Sequence, residues 1–229
     1  MAPNPESTRR ELISAAEVLF AARGIEAVSL REINAAAGQR NATALQYHFG
    51  DRHGLVRAVI EKHRPAVEAA RHAQLDQYEA AGVDDLRLLA GALVRPSAAK
   101  LADLDGGRAY LRIHAELVNT PDPPRDGGFR TPPGDSVDRW RRLVGPLLPD
   151  VAVRRLHHRF TAIRVTATEL ARRAAASPRR DDELFTSHLV DLVTALLDAP
   201  MSAETEALLL ARQRHVGNGR VQNRGSAGA

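Results

Sequence analysis

The sequence predicts an all-α chain, and three observations carry that prediction. Apolar residues recur at three- and four-residue spacing along most of its length, and no stretch alternates apolar and polar residues as a half-buried strand does. Good capping residues stand before these stretches, and glycines stand after several of them. Between Ser29 and Leu55 two short helical stretches flank a glycine-containing turn, the pattern of a helix-turn-helix. With 229 residues, 44% of them hydrophobic, the chain can bury one substantial core or two small ones.

Taken in order, residues 1–6 read as a flexible arm. Thr8 with Glu11 has the spacing of a capping box for a first helix, whose inward stripe is Leu12, Ala16, Leu19 and Phe20 and whose end is Arg23-Gly24. Ile25 and Val28 pack the connection. Ser29 followed by Glu32 is a second capping box, and Leu30, Ile33 and Ala37 share one face before Gly38 supplies a left-handed stop. Asn41 suits the N-cap of a helix over Ala42 to His48, with Leu45 and Phe49 inward.

Asp51 caps a fourth helix that runs from Arg52 toward Ala80. Pro65 removes one hydrogen bond from it, so a bend and a domain boundary are expected there, dividing the chain into 1–62 and 63–214. Further helices are expected over 84–104, 108–118, 135–148, 150–176 and 181–197, with a last one from Ser202 to about Arg214. Residues 120–134 hold five prolines and three glycines and read as a loop.

Charge is unevenly placed. The last 18 residues carry Arg212, Arg214, Arg220 and Arg224 and no acid, so the chain's formal excess of +4 belongs to them. Residues 215–229 are expected to be a disordered basic tail. Bulk basicity is therefore no argument for nucleic acid. Between Arg139 and Arg180, 11 basic residues stand against Asp150 and Glu169 alone. A solvated outer face accounts for that run, and an acidic ligand at a pocket mouth or salt bridges across a dimer are the alternatives. The absence of cysteine removes disulfides and thiolate sites and suits a reducing cytoplasm. No run reaches 18 apolar residues. Signatures of common enzymes (GxSxG, the P-loop, HExxH) are missing, so neither catalysis nor a cofactor is expected. The nine histidines lack the spacing of a metal site, and no metal is expected.

Two sites can nonetheless be drawn. Arg40, Asn41, Thr43 and Gln46, around the start of the second short helix, have the side chains that read base edges, and Tyr47, His48 and Arg52 can reach phosphates. Asn41 is equally read as an N-cap, and for His48 a packed hinge role is the preferred reading. Farther on, Leu89, Leu93, Tyr110, His114, Leu117, Trp140, Phe160 and Ile163 lie on helices that can enclose one cavity, largely apolar with a few polar groups. Tyr110 and His114, one turn apart on an apolar face, are its expected polar contacts, although a core role explains them as well. The apolar stripes of the last two long helices, with Leu156, Phe185, Leu189, Val193 and Leu196, are wide enough to suggest a homodimer seam.

From about Thr8 to Lys62 the chain resembles the DNA-binding domain of the TetR-type (tetracycline-repressor) family of bacterial transcription regulators. The likeness lies in LISAAEVLFAARGIEAVSLREI from Leu12, in Ala37-Gly38, and in YHFGDRHGL from Tyr47. The family usually reads G-V-S-x-G-T-L-Y-x-H-F-x-x-K-x-x-L across the later part. Here the interval from Gly38 to Phe49 is one residue longer, Gln46 falls where the family has its first Tyr, and Arg52 replaces the usual Lys. The resemblance implies a homodimeric repressor of double-stranded DNA, released from an inverted-repeat operator by a small-molecule effector, and it assigns Tyr47 and Arg52 most directly to phosphates. An activator, a regulator with a protein effector, or an all-α ligand-binding protein with a non-functional helix-turn-helix are the other readings.

Overall fold

The computed structural model describes residues 4–39, 44–120, 134–176 and 180–212, and among these every regular element is a helix. Helix α1 spans Pro5–Arg23, α2 Leu30–Ala36, α3 Ala44–Phe49, α4 Arg52–Ala81 and α5 Leu86–Ala98. They are followed by α6 Gly107–Asn119, α7 Ser136–Val144, α8 Asp150–Arg154, α9 His158–Ala175 and α10 Asp182–Leu197. None of the described helices is long and apolar enough to cross a membrane.

The chain divides into two compact units, Met1–Leu197 and Asp198–Ala229. In the second, a helix occupies 203–212, and the Ser202 hydroxyl accepts from the Thr205 amide at 3.2 Å. The expected disordered tail lies outside the described residues.

Within the first unit the apolar side chains form two cores. One gathers Leu12, Phe20, Ile33, Leu45 and Leu55 from α1 to α4, together with Ile113 from the distant α6. The other gathers Leu75, Leu89, Trp140, Leu170 and Val193 from α4, α5, α7, α9 and α10. Ile60 packs against both, so α4, 30 residues long, runs from one core into the other. At its N-terminus the Asp51 carboxylate accepts from the Gly54 amide at 2.8 Å, and Gly82 ends it in the left-handed conformation. The helix continues through Pro65 from Arg52 to Ala81 without interruption.

The second capping box forms as expected. The Ser29 amide donates to Glu32 at 2.8 Å, the Glu32 amide donates to the Ser29 hydroxyl at 3.2 Å, and Arg23 adds an ion pair at 2.8 Å. These hydrogen bonds, with Arg23, hold the Glu32 carboxyl down at about 2. The first box does not form. Asn4 caps α1 instead, accepting from the Glu6 amide at 3.0 Å, with Pro5 at the first helical position, where its missing N–H is no loss. Thr8 is thereby carried into the helix and buried.

The continuous helix expected over 150–176 is also broken. His157 adopts φ +54°, the sole non-glycine residue among those described with positive φ, and separates the short α8 from α9. Apolar spacing continues across the break through Val153, Leu156 and Phe160, so periodicity does not reveal it.

Candidate functional site

The helix pair and the start of α4 form a compact surface unit. Ile33 and Leu45 are fully buried between α2, α3 and α1, which fixes α3 against its scaffold. Gln46 and Tyr47 then point outward, Tyr47 with 82% of its surface exposed, while His48 and Phe49 turn partly inward. The Arg9 guanidinium lies 5.4 Å above the Phe49 ring. Gln39 donates to Glu11 at 2.9 Å and ties the turn to α1. Arg40, Asn41 and Thr43 lie outside the described residues.

Arg52 differs from the sequence expectation. Its Nη1 donates inward to the main-chain carbonyls of Ile25 and Val28, the latter at 2.6 Å, and so staples α4 to the connection between α1 and α2. A guanidinium paired with two loop carbonyls satisfies acceptors that no helix serves and is not extended toward a phosphate. Ile25 is held from its other side too, because its amide donates to both oxygens of Glu116 on α6, at 3.0 and 3.2 Å. One connecting residue is thus gripped by two helices that continue into the other core.

Those two helices also wall a cavity of about 640 Å³, bounded further by α5, α7 and α9. Leu93, Tyr110, His114, Leu117, Phe160 and Ile163 line it, as the sequence suggested. Leu89 and Trp140 do not. Both are completely buried, and the indole N–H donates to the Leu89 carbonyl at 2.8 Å, so they form part of the packed core behind the wall. Aromatic rings line up in a short file from the His63 imidazole to the Tyr110 phenol to the His114 imidazole, with ring centres 4.8 and 5.5 Å apart for the successive pairs. Burial pushes the Tyr110 phenol up to about 12 and the His114 imidazole down to about 4, where the nearby Arg71 charge also opposes its protonation. His114 is therefore neutral near pH 7.

The polar part of the wall was missed in the sequence. The buried Arg71 donates to the Ser136 hydroxyl at 2.8 Å and to the Ser97 hydroxyl at 3.2 Å. Glu68 accepts from the Ser136 amide and hydroxyl, both at 2.8 Å, and lies 3.5 Å from Arg71. Asp135, which caps α7, and Arg141 complete this end. Burial, then the Glu68 charge, raises the Asp135 carboxyl, and burial lowers both arginines. A signal was present: Arg71 interrupts the inward stripe Val67, Leu75 and Tyr78, where an unpaired charge is costly.

The expected dimer residues are placed less favourably. Leu189 and Val193 are 1% and 0% exposed and belong to the protomer's own core. Phe185 and Leu196 pack against that core partly buried, Phe185 under the Arg173 guanidinium, and Leu156 is half-buried. The outer side of α10 instead presents Leu184 and Leu192.

Residues 12–59 match the family model described as bacterial regulatory proteins, tetR family. None of the curated proteins compared matches the chain in sequence. Among solved structures the chain is similar to a TetR-family regulator from Streptomyces coelicolor, at 20% identity over 86% of this chain and 97% of that one, TM-score 0.42. A gamma-butyrolactone receptor (ArpA-like protein) is 21% identical over 82% and 96% of the two chains, TM-score 0.46. The protein RolR in complex with resorcinol is 20% identical over 86% and 96%, TM-score 0.36. At such scores these likenesses carry no conclusion about ligands. The described helices of that matched stretch, α2, α3 and the start of α4 packed on α1, therefore resemble bacterial regulatory proteins of the tetR family over residues 12–59.

Proposed function

We propose that this regulator is a homodimeric repressor that leaves an inverted-repeat operator when a small molecule occupies the cavity. The observation that carries the reading is the double duty of α6. Tyr110, His114 and Leu117 line the cavity, while Ile113 and Glu116 on the neighbouring stripe hold the core and the connection of the DNA-reading unit. A ligand that favours one placement of α6 over another shifts the population of DNA-reading geometries by its differential affinity. Gln46 is the expected base contact and Tyr47 the expected phosphate contact on α3, and Arg40, Asn41 and Thr43 are expected base contacts as well. In this reading residues 1–62 contact DNA and residues 63–214 bind effector and partner, with α4 crossing the division. Leu184 and Leu192, about two turns apart on the exposed side of α10, supply the apolar contact between protomers.

Selection of bound fragments from random DNA, followed by retardation of the winning sequence with and without cavity ligands, tests the reading. The expected result is a palindromic site whose complex dissociates when ligand is added. Equal retardation of selected and random DNA, or a complex indifferent to every compound that binds the cavity, refutes it.

A further inference from the structure

The cavity wall contains three buried polar atoms with no hydrogen-bond partner among the described residues: Arg71 Nε, Arg141 Nε and Thr166 Oγ1. Buried polar groups are nearly always paired, and leaving a charged donor unpaired is costlier than leaving a neutral one. Two of the three are guanidinium N–H donors, which only an acceptor can satisfy. The third is a hydroxyl that serves equally as donor or acceptor.

Charge in the same wall leans one way. Arg57, Arg64 and Arg164 join the two guanidiniums already named, against the carboxylates of Glu61, Glu68 and Asp135. Arg64 is paired with Glu61 at 3.2 Å, and the Arg71 charge is offset by Glu68. Arg141 has no carboxylate within ion-pair distance among the described residues, and its guanidinium lies 5.0 Å over the Phe160 ring at the apolar boundary. Asp135 is the remaining acid. Burial raises it, and its carboxylate accepts from the Asp138 amide at 2.7 Å as the cap of α7. Leu93, Leu111, Ile163 and Leu170 supply hydrocarbon to the same lining. The volume of about 640 Å³ suits a body of one or two rings or a medium alkyl chain.

We infer that the cavity takes an organic carboxylate, its apolar body against the leucine and isoleucine side chains and its carboxylate beside the Arg71 and Arg141 guanidiniums, with Thr166 alongside. This deepens the reading of the cavity as an effector site and rests on it only for the consequence at DNA. A guanidinium with two donors in a plane matches a carboxylate better than it matches an amide carbonyl, and a cationic head meets net positive charge. Arg141 also meets an apolar member of the lining, since its guanidinium lies over the Phe160 ring.

Matched probes decide the matter. Octyl, naphthyl and biphenylyl bodies, each carrying a carboxylate, a primary amide or an aminomethyl group, are titrated calorimetrically into the full chain. For at least one body the carboxylate should bind about tenfold or more tighter than its amide, with the ammonium weakest, as expected for charge-assisted pairing. Arg141→Gln, at a half-buried position, should abolish that preference while amide affinity stays within about twofold. Arg71→Gln should do the same, read beside its melting temperature because Arg71 is buried. An amide or ammonium that equals the carboxylate, an Arg141→Gln variant that keeps the preference, or no binding by any probe overturns the inference. Retardation of selected DNA with the same probes separates the two claims. Carboxylate preference without DNA release leaves the inference standing and removes the effector role, and release by neutral probes alone does the reverse.

Discussion

Glu116→Ala is the sharpest test of the proposed coupling between the cavity and the DNA-reading unit. The substitution removes both carboxylate oxygens that accept the Ile25 amide at 3.0 and 3.2 Å and leaves that donor without its partner. A hydrogen bond to a charged group is worth about 1.5–3 kcal/mol, and for a half-buried acceptor the lower end applies, about 1.5–2 kcal/mol. Ile25 keeps its second restraint, because the Arg52 guanidinium still donates to its carbonyl, so the connection loosens without unfolding. Urea unfolding should show a lower midpoint at unchanged slope. The same variant should still bind cavity ligands, yet the ligand's effect on operator affinity should fall by several-fold toward tenfold, since about 1.4 kcal/mol of coupling is one decade. Glu116→Gln retains one acceptor oxygen and should fall between the two. If Glu116→Ala unfolds within about 0.3 kcal/mol of the parent and releases DNA as the parent does, the α6 link carries nothing, and the reasoning fails.

Arg52→Ala and Tyr47→Ala should separate framework from contact: the first lowers stability by about 1–3 kcal/mol in urea with little change in the salt slope of DNA binding, the second leaves stability alone and weakens binding on all sequences. The His114 pKa of about 4 lies below the ordinary histidine value, so the neutral ring's contribution is complete above pH 6.5 and is lost as pH falls from there toward 4. With its ring facing a cavity that admits solvent, unfolding at pH 5 should show a loss of about 1–2 kcal/mol relative to pH 7.5, absent in His114→Gln. Leu184→Glu with Leu192→Glu should convert a dimer to a folded monomer in sedimentation equilibrium, whereas Leu189→Glu should unfold the protomer, because only the first pair lies outside the core.

The parts of the fold that local chemistry determines were readable in the sequence. Ser29 and Glu32 form their box because both partners lie within one turn, and Asp51 and Gly82 bound α4 for the same reason. Leu93, Tyr110 and Ile163 reach the cavity because helical spacing already puts them on inward stripes. What depends on distant partners was not readable. Arg52 looks like a surface cation until Ile25 and Val28 present their carbonyls to it. Leu189 and Val193 look like a seam until α5 covers them, and Trp140 looks like a cavity residue until the Leu89 carbonyl takes its N–H. The break at His157 carries no glycine or proline to announce it. In Arg71 the sequence did hold a clue, a charge within an apolar stripe.

Under the proposed function, the placement of Ile113 and Glu116 beside Tyr110, His114 and Leu117 suits α6 to act as an axle rather than a piston. Contacts on adjacent stripes of one helix respond together to rotation about its axis. At the side-chain radius of about 5–6 Å, a turn of roughly 10° sweeps about 1 Å along the circumference. Such a sweep would stretch the Ile25–Glu116 bond from 3.0 Å beyond hydrogen-bonding length. On that proposal a bulky ligand need not push the DNA-reading unit at all. It need only twist the shaft that grips it.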